Sequence, residues 1–305
     1  MSVKLRPLGA TGIQVSEIGF GALEIGRDWA ADVNENSRHL TQAEASRVLN
    51  GLLDLGVNFI DTAPAYWYSE EFIGKALANR RSEYVLATKV GEHCDPDGSV
   101  YDYSYDATLR FVEESLRRLC TDTIDLLQIH SASIEILERG ETFAAMQEAQ
   151  RAGKVRHLGM TGGVAECVRA LEIGGYETVQ FPYNLLNLSA EDRLLDLARE
   201  KNAGVIIMRG LAGGKLSRKY MNLQNAELRG AIAGFEHFAS GDKRDPLVHL
   251  ALGYVLARPE VSSVIAGSRR LEAVEENIAA ANRPLQSEQV ERVRQYARSV
   301  VANTW

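Results

Sequence analysis

Four residues with ionisable side chains stand just beyond or near short apolar runs. Asp61 follows VNFI, Lys89 follows YVLAT, His130 follows IDLLQI, and Tyr66 lies five residues past Asp61 in DTAPAYW. Together these types could give a proton to an oxygen and stabilise charge developing on it, which is what reducing a carbonyl with hydride demands. A free phenol has a pKa of about 10, too high for easy proton exchange at neutral pH. A lysine cation beside Tyr66 would favour phenolate and lower that value, and Asp61 would keep Lys89 charged and aimed. His130 could donate a second hydrogen bond that orients the carbonyl. Each residue alone has a plainer reading: a turn aspartate, a solvated lysine, a hydrogen-bonded core histidine, a packing tyrosine. Their coincidence at the ends of successive apolar runs is what favours chemistry.

The elements that must position them can be read from periodicity. Short runs suited to strands cover 18–22, 57–60, 84–88, 124–129, 155–160, 178–181, 205–208 and 262–266. Amphipathic stretches alternate with them, as in ATLRFVEESLRRLC, where Leu109, Val112, Leu116 and Leu119 recur at helical spacing. Gly56, Gly153 and Gly204 fall where a helix C-cap would feed a strand. Eight β-then-α units with strands buried on both faces predict an α/β fold, a (β/α)8 TIM barrel over residues 1–305 as one domain. An N-terminal β-hairpin through GATG would close the barrel bottom, and extra C-terminal helical stretches are expected near 270–281 and 286–300. Active sites of such barrels form at the carboxyl ends of the strands, where the four residues fall.

Composition narrows the function classes. With 34 Lys and Arg against 41 Asp and Glu, a net charge of -7 and 45% hydrophobic residues among 305, the chain reads as globular. No run of five basic residues exists, which argues against nucleic-acid or anionic-membrane partners. No apolar run is long enough to span a bilayer. The start, MSVKLRPLG, lacks the apolar core of a signal peptide, so a cytoplasmic location is expected. Cys94, Cys120 and Cys167 form no CxxC, which suits a reducing compartment. His93 and Cys94 have no partners at ligand spacing, so no metal is expected.

Over almost its whole length the chain resembles the aldo-keto reductase family. The resemblance is carried by RPLGATGIQVSEIGFGAL, NFIDTAPAYWYSEEFIGKAL, VLATKV, SLRRLCTDTIDLLQIH, GKVRHLGMTG, VQFPYN and VIAGSRRLEAVEENIAAA. It implies a catalytic tetrad of Asp61, Tyr66, Lys89 and His130, and a nicotinamide cofactor, NADPH/NADP+, extended across the barrel top. No strand-linked GxGxxG is found, in keeping with a cofactor site that is not a Rossmann fold. The resemblance places Gly21, Ala22 and Asp61 beside the cofactor, Thr161 and Gln180 at its carboxamide, and Met208 at the nicotinamide face. Arg209, Leu211, Gly213 and Lys215 would follow the pyrophosphate. Gly267, Ser268 and Arg269 would take the 2'-phosphate, with Glu276 and Asn277 at the adenine; a solvated basic pair at Arg269 and Arg270 is the competing reading.

Three positions depart from the commonest family pattern. Gly162 stands where an Asn is usual, Met208 where a stacking tyrosine is frequent, and Trp67 where Gly often follows the catalytic tyrosine. Trp67 and Trp29 are expected to shape the substrate pocket. The implied activity is NADPH-dependent interconversion of an aldehyde or ketone with its alcohol. Two alternatives stay open: a sugar 1-dehydrogenase working oxidatively with NADP+, and a cofactor-binding regulatory subunit of membrane channels.

Overall fold

The computed structural model describes residues 3–28, 39–95, 98–239 and 245–301. Eight parallel strands close into a barrel in sequence order: Ile18–Gly21, Phe59–Asp61, Val85–Val90, Ile124–His130, Val155–Thr161, Thr178–Pro182, Gly204–Met208 and Val261–Ile265. Closure is made by the eighth strand on the first, Val264 against Ile18 and Ile265 against Gly19. Every expected strand is present, with no end moved by more than two residues. Lys89 consequently lies inside the third strand, whereas Asp61, His130 and Thr161 are the last residues of theirs.

The N-terminal hairpin pairs Leu5–Pro7 with Gln14–Ser16 and seals the end of the barrel opposite the site. Arg6 donates to the carbonyls of Leu256 and Val261 at 2.8 and 2.9 Å, next to the start of the eighth strand. Asn58, just before the second strand, donates to Gln14 O and accepts from Ser16 N. Leu8 and Val15 thereby plug a barrel interior filled by Phe59, Ala87, Leu126, Ile206 and Ile265. A second apolar layer lies between the strands and the surrounding helices.

Two local expectations are corrected. In helix Tyr105–Arg118 the buried stripe runs through Thr108, Phe111, Val112, Ser115 and Leu116, while Leu109 is only half-buried. Gly204 is not a helix cap: Asn202 takes the left-handed turn at φ 52°, and Gly204 opens the seventh strand, where a Cβ would stand 2.7 Å from Leu8. Gly56 and Gly153 do have the positive φ of caps, 90° and 74°. The segment after the third strand forms a second hairpin, Glu92–Asp95 with Gly98–Tyr101. Beyond the eighth strand come helices Leu271–Ala281 and Ser287–Val301. The last helix is latched through Arg294 and Arg298 to Glu191, a buried carboxylate that also accepts from Tyr183 and Tyr254.

Candidate active site

The second and third strands deliver Asp61 and Lys89 side by side, each only 1% exposed. Lys89 Nζ donates to Asp61 Oδ2 at 2.7 Å and to the Thr62 carbonyl at 2.8 Å. Both carboxylate oxygens of Asp61 are used, because Gln128 Nε2 reaches Oδ1 at 3.0 Å and Gln180 Nε2 reaches Oδ2 at 3.4 Å. A buried charge costs least when it is well supplied with donors, and here side chains from three other strands, the third, fourth and sixth, converge on it.

Tyr66 ends the short turn Pro64–Tyr66, and both flanks of that turn are pinned. Thr62 and Ser69 hydroxyls bond at 2.6 Å across its base. Gly26 of the first loop lies so close that a Cβ would stand 2.3 Å from Tyr66 O, so only glycine permits this approach. Beneath, buried Glu70 accepts from Thr88 at 2.6 Å and Arg118 at 2.7 Å, tying the helix after Tyr66 to the lysine strand. The result sets Lys89 Nζ 4.8 Å from the Tyr66 ring centre, with a hydrogen bond between the side chains, and the His130 ring edge-on to Tyr66 at 5.9 Å. All four residues expected to act together are therefore contiguous.

The electrostatics differ from the simple sequence picture at Tyr66. Burial pushes its phenol above the ordinary value; Lys89 pulls it down, but Asp61 and Glu92 push it up again and the net shift is upward. The expected lowering by Lys89 is thus outweighed, and the phenol is held protonated at neutral pH. For Lys89 burial disfavours the cation, yet Asp61 and Tyr66 more than compensate and its pKa is raised. His130 is lowered, chiefly by burial, against an opposing pull from Glu92.

The residues expected at a cofactor ring the same end of the barrel. Gly21 pairs with Asp61, and Ala22 N donates to Asp61 O at 2.8 Å. Thr161 is buried at the end of the fifth strand, and Gln180 is buried in the sixth. Gln180 Oε1 has no hydrogen-bond partner among the described residues, an unmet acceptor beside Asp61. Met208 is half-buried at the end of the seventh strand. Beyond it Arg209 and Ala212 have positive φ, 56° and 51°, and the Arg209 carbonyl is held by Asn184 Nδ2 at 2.9 Å. Leu211 and Lys215 are half-buried. Gly213, at φ 68°, has nothing within 4 Å of where a Cβ would be, so its backbone is open to approach. Gly267 is exposed, Arg269 half-buried and electrostatically coupled to Asp28, and Ser268 Oγ is engaged in its own turn with Arg270. On the next helix Asn277 is buried and Glu276 exposed. Trp29 lies outside the described residues.

Trp67 holds an unusual backbone, φ 49° and ψ -105°, a combination that favours glycine. Arg27 stacks over its indole at 5.8 Å. The indole, with Tyr68, His93, Phe111, Glu114 and Arg118, lines a cavity of about 560 Å³ to which none of Asp61, Tyr66, Lys89 and His130 contributes.

Three participants escaped the sequence reading. Gln128 sits in DLLQIH, and a lone amide in an otherwise apolar strand was the available signal. Glu70 follows a serine in YSEEF and reads as helix surface; only the tertiary pairing with Arg118 reveals it. Glu92 stands 2.9 Å from His130 Nδ1, a contact created by the unexpected hairpin.

The family model described as the aldo/keto reductase family matches residues 17–298. The chain is 34% identical over 300 residues to L-galactose dehydrogenase of Arabidopsis thaliana, covering 91% of this chain and 88% of that one. It is 29% identical over 315 residues to an NADH-specific methylglyoxal reductase of Escherichia coli, covering 92% and 94% of the two chains. Among solved structures, an aldo-keto reductase from Bacillus halodurans in its holo form superposes with a TM-score of 0.82 at 30% identity, covering 98% of this chain and 96% of that one. No helix among the described residues is long and apolar enough to cross a membrane.

Proposed function

The chain belongs to the aldo-keto reductase family and is a nicotinamide-dependent oxidoreductase, and on that premise we propose that it interconverts an aldehyde or ketone with its alcohol, using NADPH/NADP+. The observation that carries this reading is the buried Lys89 cation, held by Asp61 and set against Tyr66 beside His130. Tyr66 is the general acid in reduction and, as phenolate, the base in oxidation. Lys89 moderates the cost of the phenolate, and Asp61 fixes Lys89. His130 orients the substrate oxygen.

The cofactor supplies or accepts the hydride when bound. Gln180 and Thr161 would hold its carboxamide, the unmet Gln180 Oε1 being an acceptor for the amide N–H. Gly21 and Ala22 lie at the rim, and Met208 would pack on the ring face in place of an aromatic. Arg209, Leu211, Gly213 and Lys215 would line the pyrophosphate, the open backbone at Gly213 admitting close approach. Gly267, Ser268 and Arg269 would bind the 2'-phosphate, with Glu276 and Asn277 at the adenine. Arg269→Ala is expected to weaken NADPH by roughly ten- to a hundredfold, the worth of one charge-assisted contact, and NADH little. Fluorescence titration with both cofactors checks this; equal weakening would make Arg269 structural.

Trp67 is assigned to the substrate wall. Trp67→Gly removes a flat apolar face while relieving the backbone at φ 49°. KM for ring-shaped substrates is expected to rise, with small aldehydes and the melting temperature little changed. A drop in kcat for all substrates together with lost thermal stability would confine Trp67 to packing.

The likeness to L-galactose dehydrogenase favours a second reading, oxidation of a sugar at its anomeric carbon with NADP+. A panel of aldehydes, ketones and aldoses followed by NADPH absorbance in both directions tests the proposal. Turnover with carbonyls supports the first reading, oxidation of aldoses alone the second, and inactivity with every substrate in both directions would contradict both.

A further inference from the structure

The first loop brings a cation to the catalytic turn. Gly26 O accepts from Tyr68 N at 3.3 Å, and the close approach of Gly26 to Tyr66 O, closed to any residue with a Cβ, fixes the next residue, Arg27, beside that turn. Arg27 is half-buried, and its side chain runs along the residues on either side of Tyr66. Nη1 donates to the Ala65 carbonyl at 3.3 Å, and the guanidinium carbon lies 5.8 Å from the centre of the Trp67 ring. A guanidinium has five N–H donors in a planar fork, and one carbonyl takes only part of that supply. Among the described residues no carboxylate pairs with Arg27, and its side chain has no hydrogen-bond acceptor besides Ala65 O. Arg81 and Arg118, also half-buried, are by contrast each paired with a buried carboxylate, Asp125 and Glu70.

The charges around this group decide what it would bind. Lys89 is offset by Asp61, and Asp28, next in sequence to Arg27, is exposed and turned to His39, whose backbone N donates to it at 2.6 Å. The remaining carboxylate is Glu92, buried on the hairpin after the third strand. Burial would raise its pKa, but His130, Ser99 and Arg27 hold it down to about 2, so it is charged at any working pH. An anion brought to Arg27 would meet Glu92 as well, whereas a neutral hydroxyl oxygen accepts from the fork without that repulsion. Resting on the function proposed above, we infer that Arg27 is a specificity-determining residue that selects carbonyl substrates bearing a hydroxyl on the chain next to the reacting carbon over plain aldehydes of the same length. The hydroxyl oxygen accepts from Arg27 while the Tyr66 hydroxyl serves the reacting oxygen. The turn from Ala65 to Trp67 and the cation lying along it thus read two oxygens of one substrate. The contact is equally open to the hydroxylated alcohol, so the preference holds in both directions of the reaction.

Matched aldehydes reduced by the full chain test the inference. Glyceraldehyde and propanal differ only in hydroxyls, and succinate semialdehyde and butanal only in a carboxylate that replaces a methyl. One charge-assisted contact is worth roughly ten- to a hundredfold. Arg27→Gln should lose that much kcat/KM with glyceraldehyde, chiefly as a raised KM because the contact is made alike in ground and transition states, while propanal and butanal change little. Arg27→Lys keeps a cation without the fork and should fall between the wild type and Arg27→Gln, with circular dichroism confirming the fold of both variants. Equal losses with propanal and glyceraldehyde, or no loss with either, would make Arg27 a prop for Trp67 and overturn the inference. A loss confined to succinate semialdehyde would assign Arg27 to a carboxylate and overturn the choice of a hydroxyl. Either failure, with propanal still reduced by the wild type, spares the proposed reaction; no turnover of any aldehyde by the wild type would remove that reaction and this inference with it.

Discussion

Tyr66→Phe should reduce carbonyl turnover by about 10² to 10⁴, the usual worth of a positioned general acid, while leaving cofactor affinity nearly intact. The phenyl ring keeps its edge contact with His130 and its place above Lys89, so the pinned turn between Thr62 and Ser69 is undisturbed. What is lost is one hydroxyl. Because that hydroxyl has a raised pKa, the wild-type protein should keep reducing carbonyls at pH values above the ordinary tyrosine pKa before activity declines. Oxidation of the alcohol needs phenolate and should climb with pH over the same range. Single-turnover absorbance measurements with wild type and variant, with the fold confirmed by circular dichroism, provide the check. Wild-type turnover in the variant would remove Tyr66 from the chemistry.

Asp61→Asn is expected to have the largest effect on stability. The carboxylate accepts from Lys89, Gln128 and Gln180, and an amide supplies only one accepting oxygen while adding a donor that faces other donors. It also leaves a fully buried ammonium with no counter-charge. Removing one partner of a buried pair costs about 3–5 kcal/mol, readable by urea unfolding at pH 7. The sign with pH follows from Lys89, whose folded pKa is raised. Its contribution is fully present below the ordinary lysine pKa and lost as pH rises through the folded value. In the variant burial is no longer offset by Asp61, so the folded value is expected to drop below the ordinary one and stability to rise, not fall, as pH climbs between the two. Unchanged stability and an unchanged alkaline profile would mean that Asp61 does not support Lys89.

Much of this site was legible because barrel chemistry sits where strands end. Strands buried on both faces read as apolar runs, so Asp61 and His130 announced themselves as interruptions. Lys89 was read just beyond its run, although the strand continues one residue past it. What escaped was anything defined by a partner distant in sequence. Gln128 and Gln180 both point at Asp61, and no local pattern encodes that convergence. Glu92 depends on a hairpin whose pairing, Glu92 with Tyr101 and His93 with Val100, carries no alternation of apolar and polar residues to announce it. The net pKa of Tyr66 was misjudged for a related reason: Lys89 is visible in the sequence, but the burial that outweighs it is a property of the packed site. Trp67 shows the reverse case, a departure noticed in sequence whose significance lies in a backbone angle only the fold reveals.

The most direct test of the central claim follows the hydride itself. With NADPH carrying deuterium at the transferable position of C4 and a carbonyl substrate found in the panel, wild-type protein should place one deuterium on the carbinol carbon of the product, detected by mass spectrometry, and Tyr66→Phe should slow that transfer without redirecting it. Product formed without deuterium on that carbon, or transfer as fast in Tyr66→Phe as in the wild type, would contradict the account.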